Sequence, residues 1–453
     1  MEFSKIAAKY EQIEATSKRL EMTDLLVSLF KEAPAEEMGK VVYLTQGRLY
    51  PDFVGVELGM SDKLAISAIK ETTGATDKEV SDAIKRTGDI GSAAAEFLAK
   101  KKQTTLFAAP LELSKVYDNL DKIAKSTGSR SQDAKIKLLS EILHDAKASE
   151  GKYIVRAVTG NLRLGMADMT ILDALAKMRA EKDLGEGAEA DKIKELQKKY
   201  REKIENAYNL YPDLGRISNV LAAEGIEGID KIKITLGVPI RAMLAERLPS
   251  IEEIIAKMEG KCGFEFKYDG LRIQAHIGEG KCKLFSRRLE DLTEQFPDVC
   301  ASLLSAFKGK ECIVEGECVA VNGETGEMLP FQEISHRRGR KYGVESEKVM
   351  TLGGEEKSRI KGGFADITAD YPVSIYLFDC LYTEGEDITR KPYTDRREAL
   401  KRNFAVGERV KISDSFVSCD LSEINAYFSK AIDSGCEGIM AKSLDSPYRA
   451  GAR

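Results

Sequence analysis

Lys267 is the side chain around which chemistry can be organised in this sequence. It stands in Glu265-Phe266-Lys267-Tyr268-Asp269-Gly270-Leu271-Arg272. The alternation from Phe264 to Asp269 predicts a strand. Its period of two puts Glu265, Lys267 and Asp269 on one face and Phe264, Phe266 and Tyr268 on the other. Asp269-Gly270 then carries turn chemistry. A primary amine held between two carboxylates at a strand end suits a covalent nucleophile, and it suits an ordinary ion pair equally well. At the reference pKa only about one lysine in 2500 is neutral at pH 7, and a two-unit depression would offset roughly 2.7 kcal/mol of that deficit. The flanking carboxylates act in the opposite direction, so a metal and neighbouring cations must outweigh them. Three fixed residue types recur by chance in about one chain in twenty of this length. The decision therefore rests on the residues C-terminal to this element.

Five further segments lie beyond it in order: Ser286-Arg287-Arg288-Leu289-Glu290-Asp291, the strand-like run Ile313 to Val321, Pro330-Phe331-Gln332, the apolar run Ile375 to Tyr382, and Cys436-Glu437-Gly438-Ile439-Met440-Ala441-Lys442. Arg272 and Arg287 offer planar, permanently charged donor forks of the kind that bind phosphate and ribose. Glu317 and Glu437 offer the hard oxygens that magnesium prefers, one or two carboxylates beside phosphates. Glu315 shares the face of Glu317 and could take its place. Phe378, an aromatic inside an apolar strand, reads as core on its own terms.

The order of these segments resembles the successive nucleotidyltransferase motifs of ATP-dependent DNA ligases. The surrounding sequence is similar to the archaeal replicative type over essentially the whole chain. The resemblance implies that Lys267 attacks the α-phosphate of ATP, giving a lysine-AMP phosphoramidate and pyrophosphate. It implies Glu265 and Phe378 for recognising and stacking the adenine; Asp269, from its place at the turn, is read as shaping the turn and orienting the lysine, with a role as an acid the alternative. Arg272 and Arg287 would contact the nucleotide and the DNA 5′-phosphate. Glu317 and Glu437 would hold Mg2+, with Glu317 also serving the ribose. AMP would then pass to the 5′-phosphate of a nick in duplex DNA, and the 3′-hydroxyl would displace it, in replication, repair and recombination.

The same resemblance makes the helical N-terminal region a DNA-binding domain. It is carried there by Leu44 to Pro51, Gly160 to Gly165 and Gly237 to Ala245. Gly-bearing turns at helix ends are expected to show backbone N–H groups to DNA phosphates. Arg163 is a candidate phosphate contact. Gln103, Leu106 and Phe107, after Lys100-Lys101-Lys102, resemble a sliding-clamp-binding peptide. Arg453 matches an ATP-contacting arginine just ahead of the family's last motif. That Trp-bearing motif and an OB-fold domain are expected to be missing, since the sequence has no tryptophan and ends at Arg453. The expectation is a fragment that binds nicked duplex weakly and does not seal it. Competing readings are another lysine nucleotidyltransferase, of the RNA ligase or capping type, and a non-catalytic DNA- and clamp-binding scaffold. The large helical region disfavours the first, and intact Lys267, Glu317 and Glu437 disfavour the second. An NAD-dependent ligase should bring a cysteine-rich zinc element, which is not seen.

The elements that must position these residues divide the chain in two. A length of 453 residues predicts two to three domains. Residues 1–232 read as all-α: helical spacing recurs in Phe3 to Leu20, Met22 to Phe30, Gln132 to Leu143 and Met169 to Met178, and Asp191 to Tyr208 is heavily charged. Ser131 or Ser129 is placed to cap the adjoining helix. Residues 233–453 read as mixed α/β, an adenylation domain of antiparallel sheets and helices. The polar stretch from Gly339 to Asp370 reads as a mobile surface insertion. A net charge of −5 with 32% charged residues excludes a generally basic nucleic-acid binder, so any basic face is local. The eight cysteines form no Cys-x-x-Cys pair and predict buried free thiols in a reducing compartment. No apolar run reaches the length of a membrane span and the N-terminus lacks a signal-peptide core. A soluble, cytoplasmic monomer is expected.

Overall fold

The computed structural model describes all residues except 102–108, 129, 261, 338–345, 351–355, 361–370 and 453, with backbone alone for 346–350 and 356–360. Packing divides the chain into two compact units, Met1–Lys233 and Ile234–Arg453.

In the first unit every regular element among the described residues is helical. The periodic stretch Phe3 to Leu20 is two helices, Phe3–Glu14 and Arg19–Glu32. They part where the Thr16 hydroxyl accepts the Lys18 N–H at 3.2 Å, a local bond that competes with helical pairing. The other expected helices are Ser131–Asp145, Asp168–Leu184 and Ala190–Leu210. Ser131 does not cap: the helix begins with it, and Arg130, which holds the cap position, makes no side-chain cap bond. Ser129 lies outside the described residues. One core joins these helices through Ile6, Tyr10, Leu29, Phe30, Leu139, Leu172 and Ile204.

The second unit is built on two sheets. The larger orders its strands β3-β2-β4-β7-β8, with β2 Leu271–Gly278, β3 Lys281–Ser286, β4 Glu311–Ala320, β7 Val373–Thr383 and β8 Glu386–Asp387, all antiparallel. A short β9, Val410–Ile412, adds parallel to β7. The smaller sheet places β1, Cys262–Lys267, between β10, Ser415–Ser418, and β11, Gly438–Lys442. Within the stretch read as an insertion, β5, Ser346–Met350, and β6, Glu356–Ile360, pair as an antiparallel hairpin.

Each sheet buries its own apolar cluster. Ile273, Leu284, Val314, Leu377 and Leu400 fill one. Phe264, Phe266, Val319 and Tyr427 fill the other. All eight cysteines are free, and only Cys419 is exposed. The acid that interrupts apolar β7 is Asp379. It is buried and takes a two-pronged contact from Arg396, at 2.8 and 3.1 Å, so the strand tolerates a charge because that charge is fully partnered.

Candidate active site

Strand pairing brings the distant motifs to Lys267. β1 ends on Lys267, opposite Gly438 of β11, and the Glu437 N–H donates to the Lys267 carbonyl at 2.8 Å. The Lys267 ammonium forms an ion pair with the Glu437 carboxylate, and each side chain stays nearly half exposed. Asp269 lies past the strand end, where its Oδ2 accepts the Phe331 N–H at 3.2 Å. That bond ties the Pro330-Phe331-Gln332 segment to the lysine turn. Gly270 is required by closeness and not by a left-handed turn. A Cβ there would sit 2.4 Å from the Cys318 carbonyl oxygen of β4.

The β2–β4 pairing sets Arg272 opposite Glu317. Arg272 donates to Glu315 at 2.7 Å and to the Met243 carbonyl at 2.9 Å, and its guanidinium lies 5.4 Å from the centre of the Phe378 ring. Glu315 is buried and takes a second bond from Gln274 at 3.3 Å. The two carboxylates of β4 are thereby separated. Glu315 is committed to Arg272 and Gln274, whereas no hydrogen bond or ion pair to Glu317 is found among the described residues. Burial pushes the Glu317 carboxyl up to about 7; Arg272 and Lys267 pull it back, and Glu315 and Asp269 push it further. These groups therefore share one electrostatic neighbourhood around an uncommitted carboxylate.

Glu265 differs from the strand-edge carboxylate that alternation alone suggests. It is only 3% exposed. Its Oε1 accepts from the Tyr393 hydroxyl at 2.5 Å, from Arg397 and from the Ser413 hydroxyl at 3.2 Å, while Lys442 Nζ lies 2.5 Å from Oε2. Phe378 is half-buried, with Lys442 Nζ 4.9 Å and the Arg272 guanidinium 5.4 Å from its ring centre. Sequence reasoning missed Tyr393, Arg397 and Ser413 altogether. The first two sit on the strongly polar helix Tyr393–Asn403, which reads as a solvated face. Lys442 closes a segment already singled out, so its position in that motif was the available signal.

Several candidates are not gathered here. Arg287 is exposed just after β3, with no ion pair to it and no contact linking it to Lys267 among the described residues. Gln103, Leu106, Phe107 and Arg453 lie outside the described residues. Arg163 belongs to the first unit, where it is exposed, has a φ of 57°, donates to the Gly88 carbonyl at 3.2 Å and lies 3.8 Å from Asp89.

Two expectations about the DNA-binding segments are corrected. The glycine turns do not leave their first N–H groups open. Gly47 and Arg48 bond Leu44 and Tyr43, and Gly160 and Asn161 bond Ala157 and Arg156, because these turns end helices and close on the last carbonyls. The segment Gly237 to Ala245 belongs to the second unit and not to the helical one. It is fastened to β2 by the Gly237 N–H on His276 Nδ1 at 3.1 Å and the Ile240 N–H on Gln274 Oε1 at 2.7 Å. Burial pulls the His276 pKa down to about 3, which keeps its Nδ1 an acceptor.

The donor set fits magnesium and a nucleotide. Among the described residues no cluster of three or more His, Cys, Asp or Glu side chains could cage a metal. One uncommitted carboxylate, Glu317, and a second, Glu437, lie near Lys267, which matches an ion that keeps its waters and takes phosphate oxygens.

A strand-end lysine facing a carboxylate, with a second carboxylate in the same electrostatic neighbourhood, is an arrangement that suits covalent transfer of a phosphoryl-linked group. The comparisons make the class specific. Residues 2–176 match the family "DNA ligase N terminus", and residues 242–453 match "ATP dependent DNA ligase domain". The "DNA ligase 2" of Thermofilum pendens is 45% identical over all of this chain and 70% of its own length. The "DNA ligase" of Nitrosopumilus maritimus is 40% identical over all of this chain and 71% of its own length. A solved structure titled "Pmar-Lig_PreS3" is 13% identical, covering 99% of this chain and 76% of that one with a TM-score of 0.48. The chain belongs to the ATP-dependent DNA ligase family, which uses ATP and Mg2+ and joins DNA strands. No helix among the described residues is long and apolar enough to cross a membrane.

Proposed function

We propose that Lys267 is the nucleophile of a DNA-joining reaction on nicked duplex. The observation that carries this is its place at the end of β1, ion-paired to Glu437 and beside the unpaired Glu317 carboxylate. To react, Lys267 leaves Glu437 and loses a proton. Its Nζ then forms a bond to the α-phosphorus of ATP as the bond to the pyrophosphate oxygen breaks. Glu317 and Glu437 would hold Mg2+, which supplies charge neutralisation for the phosphates. Glu265 and Phe378 recognise the adenine, and Arg272 and Arg287 contact the nucleotide and the DNA 5′-phosphate. Arg453 contacts ATP.

AMP next passes to the 5′-phosphate of the nick, and the 3′-hydroxyl displaces it. Residues 1–232 bind the duplex, with Arg163 on a phosphate, and residues 233–453 carry the chemistry. Gln103, Leu106 and Phe107 engage a sliding clamp, and the protein works as a cytoplasmic monomer. The test is to follow α-phosphate label from ATP to the chain and then to a 5′-phosphorylated nick. Label that reaches DNA without passing through the protein would refute the covalent route.

A further inference from the structure

We propose that Lys442 reads the base of the nucleotide jointly with Glu265, as a donor beside an acceptor. This rests on the reading of Lys267 as the adenylated residue and deepens it. Glu265 Oε1 is immobilised by three protein donors, Tyr393, Arg397 and Ser413. Only Oε2 is left to accept from a ligand, and beside it, at 2.5 Å, stands Lys442 Nζ. That ammonium is buried, and apart from this ion pair it has no hydrogen-bond partner among the described residues. An ammonium has three donors and no acceptor. A buried one whose donors are unspent is costly unless a ligand takes them.

Its surroundings say what kind of ligand. Lys442 Nζ lies 4.9 Å from the centres of both the Phe378 and Tyr393 rings. A flat, conjugated group is therefore admitted beside a donor–acceptor pair. Adenine presents the complement on its Watson–Crick edge: the amino group at N6 donates and the adjacent N1 accepts. Guanine presents the reverse, an acceptor at O6 and a donor at N1. Glu265 then reads N6 and Lys442 reads N1, and guanine leaves both protein groups facing like partners. A site built from buried polar groups discriminates strongly, because the wrong ligand leaves them unpaired.

Chemical deletion matched to side-chain deletion tests this on the full chain. Adenylation by ATP is compared with adenylation by 1-deaza-ATP, which lacks the N1 acceptor, and by purine riboside triphosphate, which lacks the N6 amino group. The unaltered protein should prefer ATP over 1-deaza-ATP by about tenfold or more in kcat/KM. Lys442→Met keeps the apolar stem against both rings and should shrink that preference to less than about twofold. Its preference for ATP over purine riboside triphosphate should persist. Lys442→Arg keeps a donor and should restore part of the N1 preference, which holds the test open if the methionine variant folds poorly. A tenfold N1 preference that survives in Lys442→Met would overturn the proposal, as would equal loss of both preferences. Failure of the unaltered protein to take AMP from ATP at all would instead sink the reading of Lys267, and this one with it.

Discussion

Glu317→Gln should stabilise the unliganded protein while abolishing its metal-dependent chemistry. The carboxyl is raised from an ordinary 4.5 to about 7 chiefly by burial, with no hydrogen-bonding partner among the described residues. Two and a half units correspond to about 3 kcal/mol spent on holding the charge in place. The carboxylate is only part-buried, so relaxation and solvent leave about 1–3 kcal/mol as the expected gain from a neutral isostere. For a unit of this size that is a rise in melting temperature on the order of 3–10 °C. The pH dependence fixes the sign. Below about pH 4.5 the group is protonated in folded and unfolded chains alike, and the variant should match the unaltered protein. As pH rises towards 7 the unfolded chain ionises first, the unaltered protein loses stability, and the gap opens; above about pH 7 it is constant. Melting followed by circular dichroism at pH 5 and pH 8 measures this in a chain without tryptophan. A variant less stable than the unaltered protein at pH 8, or a gap as wide at pH 5, would refute the reasoning.

Arg397→Met removes a buried donor from Glu265 and should cost about 3 kcal/mol in urea unfolding, with a higher KM for ATP. A change below about 1 kcal/mol would show that Tyr393, Ser413 and Lys442 suffice. Gly270→Ala drives a Cβ against the Cys318 carbonyl, and the displaced lysine turn should slow adenylation by about 100-fold in single turnover. An unchanged rate would mean that β2 can move off β4 without disturbing Lys267. Arg163→Ala should weaken binding to nicked duplex and lower the slope of log affinity against log salt by about one; an unchanged slope removes Arg163 from the DNA contacts.

The features repeated at short range were the legible ones. Alternation from Phe264 to Asp269 pointed to a strand, which ends at Lys267 with Asp269 in the turn beyond, and the ordered motifs from Lys267 to Lys442 pointed to the ATP-dependent DNA ligase family. The helical spacing of the first 232 residues gave an all-α region. What escaped depends on pairing between distant segments. Glu315 and Glu317 share a face of β4, and only the third dimension, with Arg272 and Gln274 committed to Glu315, separates them. Glu265 reads as an edge carboxylate until the helix Tyr393–Asn403 and Ser413 close over it. The glycine turns at Gly47 and Gly160 carry the right residue, but the sequence does not say that their N–H groups are spent on helix ends. Gly237 to Ala245 reads with the helical region because its bonds to Gln274 and His276 reach well over 30 residues ahead.

The central claim is that Lys267 carries the nucleotide. Intact mass of the chain after incubation with ATP and magnesium, beside Lys267→Ala, tests it most directly. The account predicts a single AMP adduct on the unaltered chain and none on the variant. An adduct that persists in Lys267→Ala would contradict it.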